Sequence, residues 1–232
     1  MRKPFIITID GPAGSGKTTT ARLVAERLGF PYIDTGAMYR AVAYAVLSEG
    51  LDASDEPSIC RLVQRITVES VTVDGVRRTL LNGVDVEPYI RSREISRLAS
   101  IVSAIPCVRQ AMVARQRAAV EGVKGAVLEG RDIGTVVFPD APCKIYLVAD
   151  SRTRAERRRL QLAAQGQEVD ASTLEREIAE RDAFDASRSH SPLRKPEDAV
   201  EVDTTHLTIK EQVDAIVGIA GEKMTQSGGT NA

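Results

Sequence analysis

Residues 5–18 read FIITIDGPAGSGKT, and no other stretch limits the fold as much. Phe5 to Asp10 is a short run of β-forming residues that stops at a glycine, the pattern of a buried strand. From Lys17 the apolar positions Ala21, Leu23, Val24 and Leu28 follow a helical spacing, and Gly29 marks the stop. Between strand and helix lies the pattern G-x-x-x-x-G-K-[ST]. Gly11, Gly14 and Gly16, with Pro12, Ala13 and Ser15 between them, let the backbone curl so that successive N–H groups point inward. The helix start adds the positive end of its dipole. Lys17 supplies a mobile charge for outer phosphates, and the Thr18 hydroxyl, with Thr19 beside it, is placed to meet Mg²⁺. Residues 11–19 are therefore the expected seat of a nucleoside triphosphate.

The rest of the chain alternates. Residues 31–35 form a second short strand, and 36–49 a helix. Residues 66–88 change character: they are β-branched and alternating, with Asp74-Gly75 and Asn82-Gly83 as hairpin turns. Helical spacing returns at about 91–103 and 106–122, with Pro106 between them. Strands follow at 125–130, 144–150 and 199–205, two charged helices about Gly166, and a last helix at about 208–223. Strands separated by helices imply a parallel sheet with ligands at its carboxyl edge. The fold class is α/β: a P-loop NTPase fold with a parallel core sheet flanked by helices, an inserted domain with a small antiparallel sheet, and a helical lid.

The 232 residues suit one large domain or a core with inserts. A net charge of −1 gives no basic field that would advertise nucleic acid or an anionic membrane. The apolar part of MRKPFIITIDG is too short for a signal peptide, and no stretch approaches a membrane span. Cys60, Cys107 and Cys143 are odd in number and lack C-x-x-C spacing. That speaks against a disulfide framework or a zinc site and for a reducing, cytoplasmic compartment.

A phosphate cradle alone does not separate a kinase from a GTPase or a motor. No N-K-x-D run for guanine is present. Arginines outnumber lysines 24 to seven, which genomic base composition alone could produce. Their positions are more telling: Arg40, Arg109, Arg131, Arg157, Arg158, Arg181 and Arg188 lie near loops. Phosphoryl transfer needs such charge around the migrating group and needs water excluded. The charged hairpin at 152–186, a candidate for closing over the site, is also spaced for ordinary i,i+4 surface pairs, but Arg154, Arg157 and Arg158 share one face, a spacing that solubility alone does not require. Arg131 and Asp132, after the strand at 125–130, form either a structural ion pair or a ligand reader.

These segments resemble the bacterial cytidylate kinases, a branch of the P-loop nucleoside monophosphate kinases. The resemblance runs from Ile7 to roughly Ile219 and rests on IDGPAGSGKTT (9–19), DTGAMYR (34–40), LEGRDIGTVVFPDAP (128–142) and ERDAFDASR (180–188). It implies transfer of the γ-phosphoryl of ATP to CMP or dCMP with Mg²⁺. By resemblance, Thr35 (where serine is common) and Arg40 approach the monophosphate. Ser100, Arg109 and Asp132 read cytosine, Arg131 and Arg188 hold the acceptor phosphate, and Asp185 takes the sugar hydroxyls. Lys17 and the lid arginines Arg157 or Arg158 and Arg181 face the transferring group, and DTTH (203–206) is a candidate for the adenine.

The implied division is a core (1–35, 104–151 and 187–224), an acceptor domain (36–103), a lid (152–186) and a disordered tail (225–232), in a monomer. The alternatives are a kinase for another small acceptor, such as UMP or AMP, and an ATPase that needs no acceptor.

Overall fold

The computed structural model describes residues 3–73, 76–164, 166–188 and 190–229. The chain forms two compact units, Met1–Tyr32 with Gly122–Ala232, and Ile33–Glu121.

The first unit carries the main sheet. Its strands are β1 (Phe5–Asp10), β6 (Gly125–Gly130), β7 (Cys143–Val148) and β8 (Val200–Asp203), and β2 (Tyr32–Asp34) leads out of the unit. The order is β2-β6-β1-β7-β8, and β1 runs parallel to both β6 and β7. Asp10 thus lies level with Gly130 on one side and Tyr146 on the other. The strands are apolar on both faces because helices cover the sheet. Ile7, Ile9, Ile145 and Leu147 are fully buried and pack with Val24 of α1 (Lys17–Leu28) and Ile216 of α8 (Ile209–Gly229). Each such side chain contributes about 1.5–3 kcal/mol by leaving water. Gly29 ends α1 at φ 65°, its N–H reaching the Ala25 and Glu26 carbonyls.

The charged hairpin consists of α6 (Ser151–Ala163) and α7 (Ala171–Ser187), capped by Asp150 and Asp170 side chains. Its small core of Ala155, Leu162, Leu174 and Ile178 also takes in Ala13 of the cradle.

The second unit holds α2 (Thr35–Ser48), α3 (Glu56–Arg65), the antiparallel strands β3 (Val68–Val73), β4 (Val76–Leu81) and β5 (Val84–Asp85), α4 (Arg93–Val102) and α5 (Pro106–Ala118). Asn82 (φ 51°) and Gly83 (φ 78°) make the expected two-residue turn between β4 and β5. The Asp74-Gly75 turn lies outside the described residues. Helix α3 is an addition to the expected elements, although its local signals are present. Asp55 accepts the Ser58 N–H at 3.1 Å, Pro57 sits in the first turn, and Ile59, Leu62 and Val63 make the buried stripe.

Four expectations need correction. Cys60 and Cys107 form a disulfide, because α3 packs on α5 and brings their Cα atoms to 5.7 Å. Sequence spacing carries no trace of that packing; Cys143 is a free, buried thiol. Residues 104–121, expected in the core, belong to the second unit, where α5 is fastened to α3. The hairpin at 152–186, expected as a division of its own, groups with the first unit and packs on Ala13 of the cradle. The expected disordered tail is helical through Gly229: Met224 packs on the core cluster and Thr225 donates to the Gly221 carbonyl. Residues 230–232 lie outside the described part.

Candidate active site

The cradle is formed as the sequence requires. Gly11 has φ 149°, and a Cβ there would stand 2.2 Å from the Leu147 carbonyl oxygen, so no other residue fits. Lys17 lies folded back, its Nζ donating to the Pro12 carbonyl at 2.6 Å and to Ser15 Oγ at 3.3 Å. Burial, then the neighbouring Arg131 guanidinium, hold its ammonium well below the ordinary lysine range. The negative charge of an arriving phosphate would oppose this shift. The Ala13 N–H donates to Asp182 of α7 at 3.1 Å, and Arg154 clasps Asp182 while donating to the Ala13 carbonyl at 3.1 Å.

Thr18 Oγ1 donates to Glu129 Oε2 at 3.1 Å, and Tyr32 donates its hydroxyl to the other oxygen of that carboxylate. Glu129 is buried at the carboxyl end of β6. A hydroxyl beside a carboxylate is a hard oxygen set that suits Mg²⁺, which keeps waters and phosphate oxygens and needs no protein cage. Among the described residues there is no cluster of three or more His, Cys, Asp or Glu that could hold a metal ion.

Beyond the cradle, Asp185 gathers the arginines. Arg188 Nη2 lies 2.5 Å and Arg131 Nε 3.2 Å from its carboxylate, with Arg181 Nε at 3.9 Å. Burial would raise the Asp185 carboxyl, but Arg131, Arg188 and Arg181 outweigh it and hold it below the usual range. Asp185, expected at a sugar, also serves here as counter-ion to three guanidiniums. Arg157 is turned to Thr204, donating to its Oγ1 at 3.0 Å, and that hydroxyl in turn donates to the Ser15 carbonyl at 3.1 Å. The DTTH segment is therefore fastened to the cradle. Arg158 points elsewhere, donating to Gln161 on its own helix.

Asp10, directly before the cradle, is fully buried. Its two oxygens accept the N–H groups of Ile133 at 2.9 Å and Gly134 at 2.7 Å, at the start of a π-turn (Ile133–Val137) that follows Asp132. Burial pushes its carboxyl up to about 6; the two N–H bonds counter this and the charge of Asp132 adds to it.

In the second unit, DTGAMYR is the capped start of α2. Asp34 caps α2 by accepting the Ala37 N–H at 2.8 Å, and pairs with Arg40 at 3.0 Å and Arg91 at 3.2 Å. Burial acts to raise its carboxyl, but Arg40 and Arg91 outweigh burial and hold it down at about 2. A Cβ on Gly36 would stand 3.1 Å from Arg40 Nη1 and 3.2 Å from Asp34 Oδ1, so a larger residue there would shift this pair slightly. Thr35, the first residue of α2, is buried beside them. In the same unit Arg109 is buried in the first turn of α5, donating to the Ser103 carbonyl at 3.2 Å with its guanidinium 5.5 Å from the Tyr39 ring centre. Ser103 Oγ donates to the Ser100 carbonyl at 2.9 Å, so Ser100 and Arg109 are joined through Ser103. Asp132 belongs to the first unit.

Four acids escape motif-based selection: Asp10, Asp34, Glu129 and Asp182. Each had a local signal. Asp10 precedes the cradle glycine, Asp34 stands at a helix cap, Glu129 ends a central strand, and Asp182 sits one turn before Asp185 in ERDAFDASR.

An α/β core with a strand–cradle–helix phosphate seat and a second arginine group defines a P-loop protein that handles more than one anionic group. A family model described as "Cytidylate kinase" matches residues 7–222. Proteins named cytidylate kinase include one from Geobacillus sp. (strain WCH70), 45% identical over 97% of this chain and 100% of its own length. Another, from Syntrophotalea carbinolica, is 48% identical over 96% of this chain and 94% of its own. A third, from Bacillus subtilis, is 46% identical over 96% and 99%. A crystal structure of a gluconokinase from Sinorhizobium meliloti 1021 is similar with a TM-score of 0.52 at 16% identity, covering 100% of both chains, which speaks to the fold alone. The chain belongs to the cytidylate kinase family.

Proposed function

We propose that the protein transfers the γ-phosphoryl of ATP to CMP or dCMP, giving ADP and CDP or dCDP. The observation that carries this beyond ATP binding is the Asp185 cluster, which holds Arg131, Arg181 and Arg188 as a second positive group outside the cradle, with Arg131 and Arg181 close enough to act on Lys17. One arginine on the transferring phosphoryl also serves an ATPase that needs no acceptor; three held together outside the cradle fit a second bound phosphate as well.

Residues 11–19 bind ATP, with Thr18 and Glu129 holding Mg²⁺. The ion, when bound, neutralises phosphate charge. Lys17 leaves the Pro12 carbonyl for the outer phosphates. Arg131 and Arg188 hold the acceptor phosphate, and by resemblance to the family Thr35 and Arg40 approach the monophosphate. Arg181 and Arg157, or Arg158 after a rotamer change, take the charge of the transferring group. Ser100 and Arg109 recognise the carbonyl and ring nitrogen of cytosine, and Asp132 accepts from its exocyclic amine, as carboxylates do with that base. The acceptor phosphate is already anionic near neutral pH, so in-line attack needs no strong general base. No described helix is long and apolar enough to cross a membrane. We place the protein in the cytoplasm with its nucleotides, as a monomer.

Arg40→Ala tests the assignment. The Michaelis constant for CMP should rise at least about tenfold, with that for ATP within about twofold, as for loss of a charge-assisted contact. ATP turnover that is unchanged and independent of any monophosphate would refute it.

A further inference from the structure

β1 delivers two things at its carboxyl end: the cradle, beginning at Gly11, and the buried carboxylate of Asp10. The cradle accounts for Gly11 onward but not for the acid. The partners of Asp10 are main-chain groups. Each of its oxygens takes one N–H, from Ile133 and Gly134, across the sheet from its own strand. Those two amides follow Arg131 and Asp132 directly. A carboxylate gripping two consecutive N–H groups fixes the peptide planes there, and with them the direction in which Asp132 leaves the chain.

The seat allows no slack. A Cβ on Gly134 would stand 2.9 Å from Thr8 Oγ1, 3.1 Å from Pro196 Cγ and 3.3 Å from Asp10 Oδ2, so the turn is pressed against the strand that carries Asp10. Arg131 meanwhile is braced from the other side by Asp185. The backbone of Asp132 (φ −143°, ψ 24°) leads straight into the two gripped residues, so their grip sets its course.

We propose that Asp10 is a positioning residue for acceptor specificity: it aims Asp132 at the base without touching any substrate, by holding the main chain at 133–134. This rests on Asp132 reading the exocyclic amine of cytosine. The chemistry makes an isosteric test possible. An asparagine in place of Asp10 could accept one N–H, but its amide would turn a donor toward the other. Asp10→Asn therefore breaks the grip while keeping the size.

The experiment compares wild type, Asp132→Ala and Asp10→Asn, each measured with CMP and UMP at saturating ATP and with ATP at saturating CMP. Melting curves report whether each variant is folded. The expected result is that Asp132→Ala collapses the CMP:UMP ratio of kcat/KM. Asp10→Asn should lower it at least about tenfold through the Michaelis constant of CMP, roughly the value of one charged hydrogen bond. The Michaelis constant for ATP should stay within about twofold. If Asp132→Ala collapses the ratio and folded Asp10→Asn does not, the positioning role is wrong. A rise confined to the ATP constant would overturn it too, making Asp10 a support of the cradle. If Asp132→Ala leaves the ratio intact, the base assignment itself has failed. Should Asp10→Asn not fold, Gly134→Ala, which crowds the same turn with Asp10 intact, must lower the ratio with ATP unaffected; an unchanged ratio overturns the proposal.

Discussion

Asp34 is where one buried carboxylate serves a helix cap, an ion pair and an expected ligand contact at once, so its removal gives a layered result. The side chain is 3% exposed, Arg40 is 16% exposed and Arg91 36%. Deleting one partner of a buried pair costs about 3–5 kcal/mol, because the remaining charge is left uncompensated. Arg91 changes that figure little, since it is a third exposed and also pairs with Glu87. Asp34→Asn keeps an oxygen for the Ala37 N–H, so its loss should be about 3 kcal/mol, from the charge alone. Asp34→Ala also loses the cap, which adds about 1 kcal/mol. The pH dependence gives an independent measure. The carboxyl falls from 3.8 unfolded to about 2 folded. A lowered acid stabilises the fold above pH 4, and that contribution, about 2 kcal/mol, disappears as the pH falls from about 4 through 2. Urea unfolding of the three proteins at about pH 7 reads the first quantity, and the change between about pH 7 and pH 3 reads about half of the second. In addition the Michaelis constant for CMP should rise in Asp34→Asn, since Arg40 loses its anchor. A midpoint for Asp34→Asn equal to the parent's near neutral pH would show that the buried pair carries no such weight.

The disulfide between Cys60 and Cys107 closes a loop with a sequence separation of 47. Chain entropy gives it at most about 4 kcal/mol, so a dithiol should lower the melting temperature by on the order of 10 °C or less. Cys60→Ser with Cys107→Ser should match the reduced protein, and an unchanged melting temperature in both would contradict that value. A second prediction concerns acidity. Asp10 titrates at about 6 amid Asp132, Lys17 and Tyr146. Protonation removes one of its two acceptors, so the CMP:UMP ratio should fall as the pH drops through about 6. The acceptor phosphates titrate nearby but affect both substrates alike, so the ratio isolates the protein. For stability the sign is opposite to that of Asp34: the contribution of Asp10 is present below about pH 4 and lost as the pH rises through about 6.

The sequence carried the sheet, the cradle and most helices, because their signals are local: apolar runs, glycines and caps within a few residues. The features it did not carry depend on partners far along the chain. The Cys60–Cys107 bond needs α3 to lie on α5. The grip of Asp10 on Ile133 and Gly134 needs two strands side by side. Asp185 matches a motif expected at a sugar, yet here it collects arginines from 131, 181 and 188, which no spacing rule brings together. The contacts of the α6–α7 hairpin with the cradle, Ala13 against its small core and Asp182 and Arg154 on the Ala13 main chain, also join residues far apart in sequence. Asp34 was legible as part of DTGAMYR, but its service to Arg40 and Arg91 became visible only with β-strand and helix in place.

The proposed reaction can be followed through the phosphoryl group itself. ATP labelled at the γ-position is incubated with the protein and Mg²⁺, alone and with equal concentrations of CMP, dCMP, UMP or AMP, and the products are separated. The label should move to CDP or dCDP at rates at least about tenfold above those for UMP and AMP, with almost none released as inorganic phosphate when no acceptor is present. Label released as phosphate at the same rate with or without CMP, or passed to UMP as fast as to CMP, would overturn the assignment.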